Sequence, residues 1–149
     1  MAQQIAQSGA CCAPTLVMMK GFADSILYGY RKRDYEHALN NVRKLHEAGV
    51  PILAGTDANN VFFLPTVKFG SYMHKEMELL AEAGLSSEEI LQAATVNVAS
   101  GYHLDKVGEI SAGKYADFIL LNANPMVNVQ NVEKIAQVWI NGENVFTKK

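Results

Sequence analysis

One short apolar run, Val50 to Ala54, constrains the fold of this chain more than any other stretch. Because it is interrupted only by Pro51, it is typical of a strand in a parallel sheet whose two faces are both covered. Gly55 ends the run, and Asp57 follows two residues later. Ligands and catalytic side chains of α/β proteins gather at the C-terminal ends of such strands. Asp57 is therefore a candidate functional residue, although a Thr-Asp-Ala turn would also accommodate an aspartate here.

A predicted helix leads into this strand, because apolar residues recur every three or four positions after Asp34 and stop at Gly49. An earlier strand is predicted within residues 10–19, with Pro14 interrupting or ending it and Thr15 to Val17 continuing it or entering a loop. Residues 22–30 are compatible with a loop or a short helix. Strand, helix and strand form a βαβ unit, in which the strands are parallel and the crossover is right-handed.

Three further helices are predicted after the strand. One runs from Ser71 to Ala83, one begins at the capping box formed by Ser86 and Glu89, and one covers residues 95–102. In the first of these helices, the residues expected to face the core are Met73, Met77, Leu80 and Ala81. The sequence therefore predicts α/β architecture up to about residue 103.

The last third of the chain has the pattern of a small all-β unit. Its strand-like segments are residues 108–110, 116–121, 138–140 and 145–146. Asn141 and Gly142 separate the last two, and this dipeptide is the strongest short-range signal for a type I′ hairpin turn. We therefore expect antiparallel pairing at the C-terminal end.

Composition narrows the function classes. The chain has 149 residues, a common size for one domain, and a net charge of −2. No basic cluster suggests a nucleic acid or an anionic membrane as partner. No apolar run suits a signal peptide or a membrane span, so a cytoplasmic location is expected. Cys11 and Cys12 are adjacent and would point to opposite faces of a strand, which favours buried free thiols over a disulfide.

Several segments together resemble the amidohydrolase superfamily, in particular its imidazolonepropionase-like and prolidase-like branch. They resemble, in order, the eighth barrel strand, the helix pair that follows it, the return into a β-sandwich and the closing hairpin of that sandwich. The matching segments are GVPILAGTDA (49–58), EMELLAEAGLSSEEILQAAT (76–95), VGEISAGKYADFILLN (107–122) and VWINGENV (138–145).

The resemblance implies an α/β fold in two parts. Residues 1–105 would be the C-terminal part of a metal-dependent hydrolase TIM (β/α) barrel, comprising its last two βα units. Residues 106–149 would be part of a composite β-sandwich domain. The resemblance also implies that Asp57 contacts a divalent metal, with zinc expected, and shuttles protons for the attacking water. His74 lies where some members of the family place a residue near the substrate pocket, and the alternative is a solvated histidine on a helix surface. Asn59 is a second candidate for the substrate pocket.

The chain departs from the family in its metal ligands. A complete barrel needs roughly 250 residues. The family's other ligands, a His-x-His, a Lys or Glu and two further histidines, have no counterpart. His37 and His46 are nine residues apart on one predicted helix and so lie on opposite faces. We therefore expect that the chain alone holds no complete metal site.

The function expected from these observations is hydrolysis of carbon–nitrogen bonds in small amide or dipeptide-like substrates, in an enzyme completed by the missing barrel half. The chain alone is expected to be inactive. An alternative is a non-catalytic remnant that self-associates, because unpaired strand edges and exposed apolar faces favour pairing with another chain. A third possibility is a small-molecule binding module built on residues 59–65, with Phe62 and Phe63 as its walls.

Overall fold

The computed structural model describes residues 1–148, and this part of the chain is an α/β region followed by a small antiparallel sheet. Short 3-10 turns lie at Ile26–Tyr28 and Val129–Glu133. The helices and strands are α1 (Ala2–Gln7), α2 (Leu16–Asp24), α3 (Lys32–Glu47), α4 (Ser71–Glu82), α5 (Ser87–Ala94), α6 (Val96–Gly101), β1 (Phe118–Leu121), β2 (Ile135–Ile140) and β3 (Glu143–Thr147).

The predicted parallel pairing is present as a single bridge between Cys12 and Ile52. The N–H of Cys12 donates to the carbonyl of Pro51 at 2.9 Å, and the N–H of Leu53 donates to the carbonyl of Cys12 at 2.8 Å. The extended segment ends before Leu16, in agreement with the alternative in which Pro14 ends it, but α2 begins at Leu16, where a continued strand or a loop was expected. α2 and α3 therefore both lie in the crossover between the paired segments.

The core lies where α2, α3, α4 and α5 meet beside the bridge. Leu79 and Leu80 of α4 are fully buried, as is Ile90 of α5. The prediction of inward-facing residues in α4 was right for Met77 and Leu80 but wrong for Ala81, which is exposed.

Local capping signals explain where two helices begin. In α3, Asp34 accepts a hydrogen bond from the N–H of Arg31 at 2.7 Å, so the helix starts at Lys32, two residues earlier than predicted. In α5, the N–H of Ser86 donates to the Glu89 carboxylate at 2.8 Å, and the N–H of Glu89 donates to the Ser86 hydroxyl at 3.3 Å. The predicted capping box is therefore confirmed.

The C-terminal strands form an antiparallel sheet in the order β1-β2-β3. Asn141 and Gly142 both adopt positive φ, 52° and 80°, as a type I′ turn requires, so the predicted hairpin is confirmed. The rings of Phe118 and Trp139 stack across β1 and β2 with centroids 5.5 Å apart. The prediction of a strand at residues 108–110 was wrong: this segment is irregular, and Ile110 is 85% exposed.

Two expectations about the chain's surroundings can be compared with the structure. Among residues 1–148, no helix combines the length and apolar character needed to cross a membrane. Cys11 and Cys12 are free thiols, as expected. The expected burial is not found for Cys11, which is exposed, and Cys12 is only half-buried. Burial raises the pKa of the Cys12 thiol, and the neighbouring Cys11 adds to this effect.

Candidate functional site

The candidate site lies where the chain leaves the C-terminal ends of the two bridged segments. Just beyond the bridge, a Cβ placed on Gly55 would lie 3.5 Å from the Cβ of Ala13, so the two segments still run side by side. Residues 13–15 and 55–57 therefore leave the parallel pair at the same edge. In parallel sheets this is the edge where catalytic side chains gather.

Asp57 lies at this edge and is exposed to solvent. Its backbone is in the left-handed region, with φ of 52°, which few non-glycine residues adopt. Residues held in such conformations cluster at functional sites. Within residues 1–148, its carboxylate makes no ion pair or hydrogen bond, so both oxygens are available to a ligand or a proton.

Asn59 shapes the loop that follows Asp57. Its side-chain amide donates to the carbonyls of Asp57 at 3.2 Å and Pro65 at 3.4 Å, and its side-chain oxygen accepts from the N–H of Val61 at 3.0 Å. An antiparallel bridge between Asn59 and Val67 closes the loop. The polar atoms of Asn59 are thus used to hold the loop in shape.

The tip of this loop is apolar and open to solvent. Phe62 is fully exposed and Phe63 is 72% exposed. Neither ring therefore forms the wall of an enclosed pocket within the described residues.

His74 lies on α4, and its Nδ1 is 3.9 Å from Glu133 in the second 3-10 turn. It makes no hydrogen bond with Asp57 or Asn59 within the described part of the chain. Asn59 contacts Asp57 directly, whereas His74 faces a different element.

Glu76 is a residue that the sequence patterns did not single out, and it is fully buried. Its two carboxylate oxygens accept from the N–H groups of Leu16 at 2.9 Å and Val17 at 2.8 Å, which are the first residues of α2. Burial raises the pKa of the Glu76 carboxyl to about 7, although the two backbone hydrogen bonds act in the opposite direction. A sequence signal did exist, because Glu76 shares the helix face of Met73 and Met77.

A metal ion does not fit the ligand set of residues 1–148. No group of three or more His, Cys, Asp or Glu side chains in this range is arranged to hold one. A protein metal site needs about four converging ligands, of which Asp57 could supply one. Any complete metal centre therefore needs residues from outside the described range.

Comparison with known proteins places this geometry in a family. The model of the amidohydrolase family matches residues 5–145, so the chain belongs to that family, as the sequence resemblance indicated.

Two relatives and one solved structure illustrate the similarity. The chain is 32% identical over 107 residues to 5'-deoxyadenosine deaminase of Methanococcus maripaludis, covering 68% of this chain and 25% of that protein. It is 28% identical to imidazolonepropionase of Streptomyces avermitilis, covering 70% of this chain and 25% of that protein. It superposes on a Xaa-Pro dipeptidase crystallised with methionine in its active site, with a TM-score of 0.79 and 25% identity, covering 98% of this chain and 37% of the other. The chain thus spans about a quarter to two-fifths of the length of these proteins.

Proposed function

We propose that this chain is part of an amidohydrolase that hydrolyses carbon–nitrogen bonds in small molecules. In this proposal the chain supplies the catalytic carboxylate, which lies at the end of a barrel strand. The observation that carries the proposal is the position of Asp57, an unpaired carboxylate in the left-handed conformation at the C-terminal edge of a parallel pair. In this proposal, residues 1–105 belong to a (β/α) barrel as its last two βα units. Residues 106–149 belong to a composite β-sandwich.

Asp57 would act as the proton carrier of the reaction. Its carboxylate takes a proton from the attacking water and delivers it to the leaving nitrogen as the carbon–nitrogen bond breaks. The complete enzyme would use a divalent metal, for which we propose zinc, with Asp57 as one of several ligands. The other ligands would come from the rest of the barrel, because the described residues do not complete a site.

The substrate class follows from the chemistry shared by the relatives. A deaminase, an imidazolonepropionase and a dipeptidase each cleave a bond between carbon and nitrogen. We therefore propose an amide, a cyclic amide or amidine, or a dipeptide-like substrate. His74 and Asn59 remain proposals as residues near the pocket, and Asn59 would act by holding the loop after Asp57.

The proposal is tested by assaying the chain alone and together with a polypeptide that supplies the remaining barrel strands of a related amidohydrolase. A Xaa-Pro dipeptide and an adenine nucleoside serve as substrates, with release of amine or ammonia as the readout. Hydrolysis is expected only in the combined sample. Asp57→Asn should lower kcat at least about 100-fold, whereas the exposed Asp105→Asn should not.

Two results would contradict this proposal. One is wild-type turnover by Asp57→Asn with metal bound. The other is a stoichiometric, tightly held metal ion in the isolated chain, because that would require a ligand set that residues 1–148 do not present.

A second candidate role, association with another copy or with the missing barrel half, is favoured by the exposed area. The solvent-accessible surface is 9536 Å², whereas a folded monomer of 16.3 kDa is expected to expose about 7,500 Å². The excess of about 2,000 Å² exceeds the ~800 Å² that each partner buries in a standard interface. Part of this excess surface is an apolar row across the sheet, formed by Ile119, Val138 and Phe146, which pair with one another on neighbouring strands. Ile119 is 54% exposed.

Light scattering tests this role over a range of concentrations. The chain alone is expected to form dimers or larger assemblies, and Ile119→Thr combined with Phe146→Thr should shift it towards the monomer. Val145→Thr is a matched control, because Val145 is similarly exposed but lies outside the row. A monomeric mass from micromolar to millimolar concentration would exclude self-association.

A further inference from the structure

Thr15 and Asp57 both lie just beyond the two bridged segments, three residues after Cys12 and five residues after Ile52. Each lies two residues after the contact between Ala13 and Gly55, and each has a positive φ, 48° for Thr15 and 52° for Asp57. The left-handed region is especially unfavourable for a β-branched residue such as threonine. Such a conformation persists only when the surrounding structure enforces it.

Glu76 contacts the two residues that follow Thr15. Thr15 is the N-cap residue of α2, but its side chain does not cap the helix. Instead, the Glu76 carboxylate accepts hydrogen bonds from the N–H groups of the next two residues, Leu16 and Val17. A carboxylate at a helix N-terminus satisfies free donors and interacts favourably with the helix dipole.

This cap links the segments that follow the two bridged strands. Glu76 lies on α4, which follows the loop after Asp57, whereas the N–H groups it holds follow Cys12. The carboxylate has no Lys or Arg partner within residues 1–148, so these two N–H groups are its main partners there. The side chain of Thr15 is half-buried and makes no hydrogen bond in the same part of the chain.

We propose that Glu76 is a positioning residue of the candidate site, because its two hydrogen bonds fix the turn at Thr15 on the edge of the parallel pair that also carries Asp57. This inference rests on the proposed function for the role of that edge, whereas the positioning itself is a property of the chain alone and is tested without hydrolysis. Glu76 would act through the backbone that follows Cys12, without contacting the substrate.

The positioning is tested by nuclear magnetic resonance on the isolated chain. Glu76→Gln replaces one accepting oxygen with an NH₂ group that cannot accept, so one of the two N–H groups loses its partner. We expect the amide resonances of Leu16 and Val17 to move and amide exchange there to become roughly tenfold faster or more. The resonances at Thr15 and Asp57 should move as well. Glu47→Gln is the matched control, because Glu47 is exposed at the end of α3 and makes no side-chain hydrogen bond or ion pair within residues 1–148, so all of these signals should stay unchanged.

A double variant keeps the test informative if Glu76→Gln folds poorly. Thr15→Gly relieves the strain of the left-handed conformation. The effect of Glu76→Gln on the unfolding midpoint should therefore be smaller in the Thr15→Gly background than in the wild type. If the two effects simply add, or if Glu76→Gln lowers stability without moving the resonances at Thr15 and Asp57, the positioning role is wrong.

Discussion

Gly21 of α2 lies so close to Pro65 that a Cβ on Gly21 would stand 2.7 Å from the Cβ of the proline. Non-bonded carbon atoms are normally about 3.5 to 4.0 Å apart. The loop after Asp57 is therefore seated directly on the backbone of the helix that follows Cys12. Together with the Glu76 cap, this contact is a second link between the segments that leave the two bridged strands.

Gly21→Ala is expected to destabilise the chain. In a helix interior, alanine normally gains about 1 kcal/mol over glycine. Here the added methyl group would meet the rigid ring of Pro65, and overpacking costs about 1–3 kcal/mol. We expect a net loss in the free energy of unfolding of up to about 2 kcal/mol, measured by urea denaturation.

Gly55→Ala is the matched control for this prediction. Its Cβ would lie 3.5 Å from that of Ala13, an ordinary contact, so the change should stay within about 1 kcal/mol. A Gly21→Ala variant more stable than the wild type would show that the loop moves aside without cost.

Because of Glu76, the stability of the chain should fall as the pH rises from about 4.5 to about 7. Burial raises the pKa of this carboxyl from 4.5 to about 7, so between these values the folded chain binds a proton that the unfolded chain has lost. The free energy of unfolding then decreases with increasing pH in this window. The contribution of Glu76 is fully present below pH 4.5 and is lost above pH 7, with an upper limit of about 3 kcal/mol.

Urea denaturation of wild type and Glu76→Gln between pH 5 and 8 measures this contribution, since the difference between the two curves removes other titrating groups. The wild-type curve should slope downward relative to that of the variant. Parallel curves would mean that Glu76 titrates at the same pH in the folded and unfolded chains.

Ser86→Ala should cost about 1 kcal/mol, the usual loss when an N-cap side chain is removed. The hydroxyl of Ser86 accepts from the N–H of Glu89, and the Ser86 side chain also contacts the Glu89 carboxylate at 2.7 Å. Ser87→Ala is the control, because Ser87 already lies inside α5. Equal unfolding midpoints for the two variants would contradict the capping role.

Tyr35→Phe should destabilise the chain by about 1–2 kcal/mol through loss of one hydrogen bond between α3 and α4. The Tyr35 hydroxyl donates to the Glu82 carboxylate at 3.1 Å, and burial together with Glu82 raises the pKa of this phenol. In a double-mutant cycle with Glu82→Ala, which removes the acceptor, the double variant should lose less stability than the sum of the two single losses. Strict additivity would show that the hydroxyl and the carboxylate do not interact in solution.

Features of the fold that depend only on residues close together in the sequence were predictable. The turn at Asn141 and Gly142 follows from backbone preferences, and the start of α5 follows from a serine and a glutamate three residues apart. The start of α2 was not predictable in this way. Its capping group, Glu76, is 60 residues away from Leu16, so no local pattern contains it.

The other differences between the predicted and the observed fold also arise from contacts between residues that are far apart in the sequence. Residues 108–110 have the composition of a strand, but a strand forms only with a partner, and the structure gives this segment none within residues 1–148. The position of Asp57 was predictable from the apolar run before it, whereas its neighbours at the site were not. Glu76 became a candidate only through its burial and its two hydrogen bonds to the start of α2.

The parallel bridge between Cys12 and Ile52 also determines the order in which the chain can fold. About 40 residues, including both α2 and α3, separate its two sides. Closing a loop of that length costs about 3 kcal/mol of chain entropy before any contact compensates for it. The antiparallel hairpin of β2 and β3 needs only a two-residue turn. We therefore expect the hairpin to form early and the edge that carries Asp57 to be assembled among the last parts of the chain.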